Sequence, residues 1–279
     1  FAIRDKIKIN HIIENIKKNT GINIELQDKQ KLTYFPQIIY ENSLSITNKK
    51  GNLFVKNSDI NIIKNYNINT PFLINFKSPS IIYQGINFEN SLIESSYYKK
   101  VLQINKFTAN LINGNINVKG YLSLNNKKDF SLRGSYKNIS LNEILKQLNI
   151  AKWQRVKIKL SSPDFEINSI NGTSKQIIEN LNGKIDILGS IFFVSSKEER
   201  FGAAFLSLLA DKIKRMISLS KSINYLLDKF ADVPSDISGT IYINNGILKT
   251  EKLLINNKKA KALLSASLNL KTNLINGKI

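Results

Sequence analysis

Residues Ile104–Leu124 read INKFTANLINGNINVKGYLSL, two alternating runs that meet at Asn113-Gly114. An Asn-Gly pair suits a type I′ turn, because glycine takes a positive φ freely, asparagine tolerates one, and the twist of that turn matches the flanking strands. With those two residues as the loop, Leu111 faces Ile116, Ala109 faces Val118 and Phe107 faces Gly120, with Leu122 just beyond. One side of the expected ribbon is apolar. The other carries Lys106, Thr108, Asn110, Asn117, Lys119 and Tyr121. Side chains alternate with period two along a strand, so a slip of one residue would turn the whole polar set inward. The stretch predicts a hairpin with one apolar face.

Outward from it the same period recurs. Upstream, short strands are expected at Ile22–Leu26, Leu44–Thr47, Leu53–Lys56, Ile60–Ile63, Phe72–Phe76, Ile81–Tyr83 and Ser91–Glu94, with Pro71 and Pro79 as punctuation and Pro36 arguing for an edge or bulge. Downstream, Ile185, Ile187, Gly189, Ile191 and Phe193 alternate, and SGTIYINNGILKTE reads as a hairpin on Asn245-Gly246. In that hairpin Ile241, Ile243 and Leu248 share one side. The Asn-Gly at 182–183 reads as a helix stop, and the one at 276–277 as the start of a turn.

Helices are few. Ile9, Ile12, Ile13 and Ile16 have helical spacing, with Gly21 as the expected cap. Ser140-Leu141-Asn142-Glu143 is a capping box opening a helix to Leu148, and a second short helix is expected over Ser174–Leu181. The stretch Lys197–Phe230 repeats apolar residues every three or four positions, which predicts an amphipathic helix covering one end of the sheet.

The 279-residue chain is 42% hydrophobic, enough for a core, and its 41 Lys+Arg against 21 Asp+Glu give a net charge of +20. That excess is spread along an Asn-, Ile- and Lys-rich sequence, with no basic block interleaved with aromatics. Nucleic acid is therefore not expected as a partner, and diffuse charge suits acidic lipid head groups better. With no cysteine and only His11, disulfides and thiolate metal sites are excluded, and spacing suggests no second ligand for a histidine site. Glu198-Glu199 sits at a helix start, where acidic residues favour the dipole. Asp228, Asp232 and Asp236 lack the spacing of a calcium loop. No catalytic constellation and no cofactor motif is present, and the chain reads as a non-enzyme.

What stands out is strand after strand with one apolar face and little helix to cover it. The expected fold is mainly β with a few short helices: a long curved antiparallel sheet whose apolar face forms a groove, with a β-sandwich as the alternative. An exposed apolar trough is anomalous unless something apolar fills it, and acyl chains would meet that need. The candidate lipid-facing residues are Phe107, Leu111, Ile116, Val118, Leu122, Ile187, Ile191, Ile241, Ile243 and Leu248.

The order of motifs resembles the AsmA-like family of bacterial envelope proteins. The likeness rests on Thr20-Gly21 followed by Ile22-Asn23-Ile24, on Phe35-Pro36, on Phe76-Lys77-Ser78-Pro79, on Gly120–Leu124, on Gly172-Thr173-Ser174 leading to Ile185–Gly189, and on Ile243–Leu248 ahead of Leu268-Asn269-Leu270. It implies an N-terminal AsmA-like part over 1–95 and a C-terminal β part over 96–279 with a helical insert at 197–230. It also implies a periplasmic body held to the inner membrane by a helix upstream of residue 1, a role in outer-membrane biogenesis, and phospholipid or another envelope lipid as cargo, with other envelope proteins as partners.

Overall fold

The computed structural model of the chain describes residues 13–14, 17–18, 21–27, 30–48, 51–124, 129–147, 156–170, 174–194, 229–272 and 274–278. By packing the chain divides into two compact units, Phe1–Leu111 and Ile112–Ile279. Each is an open, curved antiparallel sheet, and among the described residues neither unit contains a second sheet facing the first. Within a unit, the single layer takes the place of the alternative sandwich.

The first unit holds β1 (Asn23–Leu26), β2 (Lys31–Thr33), β3 (Ile38–Asn48), β4 (Leu53–Lys64), β5 (Phe72–Tyr83), β6 (Ile86–Tyr98) and β7 (Val101–Leu111). β1 and β2 both pair with β3, and from β3 onward each strand pairs with the next. Phe35-Pro36 lies in the bend between β2 and β3, outside any ladder. Gly21, at φ 71, closes the preceding helical residues by donating its N–H to the Lys17 carbonyl at 2.9 Å, as its spacing predicts.

The short strands expected from alternation join into long ones because the alternation skips inside them. In β4 the buried residues Val55 and Ser58 flank the exposed pair Lys56 and Asn57. In β6, Phe88 and Ser91 flank Glu89 and Asn90, with Asn57 and Asn90 in the left-handed region at φ 50 and 49. The register aligns Asn57 with Pro79 and Pro79 with Asn90. Three adjacent strands therefore carry one extra residue along a single transverse line, a crease made of aligned bulges. Pro79 fits there although it can donate no ladder bond, since the pairing is already interrupted.

Beside the crease runs a row of small hydroxyls, Ser58–Ser78–Ser91, exposed by 0%, 3% and 2%. Each one lies within reach of a backbone carbonyl at the skip. Ser58 Oγ donates to Ser78 Oγ at 2.8 Å and lies 3.2 Å from the Lys56 carbonyl; Ser78 donates to Ser80 O at 2.9 Å, and Ser91 to Phe88 O at 3.2 Å. Pairing of this kind offsets the cost of burying a polar group. Next to them Leu44, Val55 and Phe76 form the apolar cluster, ringed by Leu26, Ile46, Ile60, Ile81 and Ile93. Burial of each such side chain contributes about 1.5–3 kcal/mol.

The second unit runs through β8 (Gly114–Ser123), β9 (Phe130–Ser140), α1 (Leu141–Gln147), β10 (Val156–Ser169), α2 (Ser174–Glu179), β11 (Asn182–Phe193), β12 (Ser235–Asn244), β13 (Ile247–Asn256), β14 (Lys261–Asn269) and β15 (Leu274–Lys278). From β8 to β15 each strand pairs antiparallel with the next. The same bulge device returns in β9, where Asn138 has φ 55 and donates its N–H to Ser161 Oγ at 3.0 Å, and in β10, where buried Ser162 donates to Asp164 O at 2.7 Å. The expected helix over Lys197–Phe230 lies outside the described residues except for its last two, 229–230, which are helical.

Three of the Asn-Gly readings are corrected. At the central turn the left-handed residues are Ile112 and Asn113, φ 44 and 59, and Gly114 already belongs to β8. Glycine is required at 114 by close approach, since a Cβ there would lie 2.4 Å from the Lys137 carbonyl. Asn182 and Gly183 do not stop a helix: α2 ends at Glu179, and both residues sit in β11. Asn276 and Gly277 lie in β15, opposite Ser267 and Ala266, rather than in a turn. Asn245-Gly246 turns as read, with φ 48 and 75 and Ile243 opposite Leu248.

Candidate functional site: the apolar faces of the sheets

Register places the candidate residues on faces. In the second unit one row crosses β8 to β12 as Val118–Gly134–Phe165–Ile185–Ile241, and a neighbouring row reads Gly120–Leu132–Ile167–Gly183–Ile243–Leu248–Leu268. Ile116 and Leu122 extend β8 on the same side, opposite Tyr136 and Phe130, while Ile187 and Ile191 extend β11, opposite Gly239 and Ser235. Eight of the ten candidates thus share one face of one sheet. Phe107 and Leu111 belong to the first unit, on the apolar face of β7, where Phe107 stands opposite Ile93 and lies 6.3 Å from the Phe88 ring.

The eight are not equally covered. Val118, Ile187, Ile191 and Ile243 are buried, while Ile116, Leu122, Ile241 and Leu248 are half-buried. The candidates did not include Phe165, Ile139 or Leu253, each 8% exposed. All three border bulges, where the period of two breaks. The residues that precede them inward by three positions are Tyr136, Ser162 and Thr250, each followed by two exposed residues, so the signal is a small or aromatic inward residue, two exposed residues and then an apolar one.

Across β8–β14 the described side chains on this face are Ile, Leu, Val, Phe, Ala, Gly, Ser, Thr and one Tyr, and none is charged. The opposite face takes the charge: Lys119, Arg133, Glu166, Lys184 and Lys249 fall in one row. There Asp186 accepts from Thr240 Oγ1 at 2.8 Å and from Lys184 Nζ at 3.0 Å. The hydroxyl and then the ammonium hold its carboxyl below the usual range, and the Asp186 carboxylate in turn raises Lys184. Lys184 is exposed and Asp186 partly so, and this pair therefore orders the surface more than it stabilises the fold. Along the apolar side, α2 closes one end, where Ser169 donates to the Ile177 carbonyl at 2.8 Å.

One titratable group faces inward. Tyr136 lies between Ile116 and Ser162 with its ring 6.2 Å from Phe165, and burial pushes its phenol above the ordinary value of 10. The neutral phenol is the form the fold accepts. Its stabilisation is therefore intact below the unfolded pKa of about 10 and is lost as pH rises through the folded value. Thermal melts between pH 9 and 11.5 are expected to show a steeper alkaline fall for the wild type than for Tyr136→Phe.

Among the described residues no three His, Asp or Glu side chains gather as a metal site, and no helix is long and apolar enough to cross a membrane. No protein-family model, curated protein or solved structure matches the chain.

Proposed function

We propose that the chain is a non-enzymatic cell-envelope protein of the AsmA-like type that takes part in outer-membrane biogenesis by holding or passing phospholipid along the apolar side of its sheet. The observation that supports this reading is the chargeless face of the second unit, built in register from seven successive strands. Acyl chains match such a face because they ask for apolar area and no hydrogen bonds, and burial returns about 25 cal/mol for each Å² covered. On this reading the body works on the periplasmic side of the inner membrane, held there by an N-terminal helix, and the charged opposite face stays in water.

The experiment is to purify the chain from cells under mild conditions and identify co-purifying lipid by mass spectrometry, then to offer fluorescent phospholipid to the delipidated protein. Bound phospholipid and saturable uptake are the expected results. A well-folded protein that arrives empty and takes up none overturns the reading.

A further inference from the structure

We propose that the first unit carries a site for the head group of an anionic phospholipid at the Lys64 end of its apolar face, an inference that rests on reading these faces as lipid-binding. The outermost row of that face is Ile38–Lys64–Phe72–Tyr97, in register across β3 to β6. Among the paired residues of the unit's apolar face, Lys64 is the one charged side chain. A cavity of about 320 Å³ opens beside it, at the lower end of the range for small-molecule sites.

The lining of the cavity combines two chemistries. Ile38, Ile68, Phe72 and Tyr97 wall it, Lys64 and Lys99 supply charge, and no acidic side chain lines it. The Lys64 ammonium is fixed in place: its three N–H groups are shared among four acceptors, Asn67 O and Thr70 Oγ1 at 3.1 Å, Ile68 O at 3.4 Å and Thr70 O, and it sits 5.1 Å from the centre of the Phe72 ring. These partners are neutral dipoles, which hold the cation without cancelling its charge. Lys99 Nζ stands 5.1 Å from the Tyr98 ring, again a neutral partner. A phosphate beside these two cations has its acyl chains directed along the next row, Tyr40–Ile62–Ile74, which adjoins in register. A lipid with a compensating cation in its head group would place that cation against two ammonium groups. The site therefore selects net negative lipid.

The test is a fluorescence titration of the delipidated full chain with labelled phosphatidylglycerol and labelled phosphatidylcholine. Phosphatidylglycerol is expected to bind about tenfold more tightly at low ionic strength, with the gap closing toward 0.5 M salt, where screening acts within ~4 Å. Lys99→Glu is expected to weaken phosphatidylglycerol about tenfold and so to close the gap between the two lipids, and Lys99→Gln gives the same pattern with a smaller effect. Equal affinity for the two lipids, or a Lys99→Glu effect that is absent or common to both, overturns the head-group site while the lipid-binding reading stands. Displacement of phosphatidylglycerol by millimolar inorganic phosphate overturns it too, since the site would then take phosphate without its acyl chains. Failure of both lipids to bind removes the broader reading with it.

Discussion

Asp introduced at both Ile241 and Leu248 is expected to lower phospholipid uptake at least tenfold. The two positions are half-buried on the apolar face and lie close in register, one row apart on β12 and β13. An unpaired carboxylate under an acyl chain costs ~1–3 kcal/mol or more, and two such groups on one surface add repulsion to desolvation. The informative comparison is between lipid-free and lipid-loaded protein. Ligand binding raises stability by RT ln(1 + [L]/Kd), so phospholipid is expected to raise the melting temperature of the wild type and not of the variant. If water bathes the face at all times, both carboxylates stay solvated, and stability changes by less than ~0.5 kcal/mol with or without lipid. If protein covers the face instead, the variant loses stability equally in both states. Differential scanning fluorimetry with and without phospholipid separates the three outcomes.

Gly189→Val is the second large expected effect, and it acts on the sheet itself. Gly189 pairs with Leu160 on one side and Ile237 on the other, and a Cβ at this position would lie 2.1 Å from the Lys159 carbonyl. The obstruction is backbone, so it cannot rotate away, and β10 must separate from β11 to admit the side chain. Overpacking of this kind costs ~1–3 kcal/mol, which in a unit of this size lowers the melting temperature by roughly 2–4 °C per kcal/mol. Gly51→Ala is the control. There the nearest atoms are the Asn48 side chain at 3.1 Å, which can swing aside, and a change within about 0.5 kcal/mol is expected. A Gly189→Val protein as stable as the wild type would mean that the close approach is not a requirement of the fold.

Alternation reported the class of fold and the faces well, because period two survives any uncertainty about which strand lies next. It placed Ile116, Val118, Ile187, Ile191, Ile241, Ile243 and Leu248 on one side, where register confirms them. It failed where the backbone breaks the period. Asn57, Asn90 and Asn138 take left-handed conformations inside strands, and the expected strands stop short of them: Leu53–Lys56 and Ile60–Ile63 lie on either side of Asn57, and Ser91–Glu94 begins after Asn90. Asn-Gly misled for a related reason. At 113–114, 182–183 and 276–277 the glycine is a strand residue, and in the first two of these a Cβ would strike a neighbouring carbonyl. Close approach leaves no local mark in the chain, since it depends on a strand whose identity is fixed only by the tertiary pairing. The cavity at Lys64 was invisible for the same reason, its walls coming from β3, β5, β6 and the loop after β4.

The crease through Asn57, Pro79 and Asn90 binds three strands to a common reading frame. Deleting Asn57 alone would restore strict alternation in β4 and send Leu53 and Val55 to the outer side, while Ile81 and Phe88, their neighbours across the ladder, stayed within. Only a matched loss of one residue from each of β4, β5 and β6 returns all three to the same side. Length changes in this part of the chain are thus tolerable in triplets of positions far apart in sequence, and a gene acquiring them one at a time passes through forms whose core is turned outward.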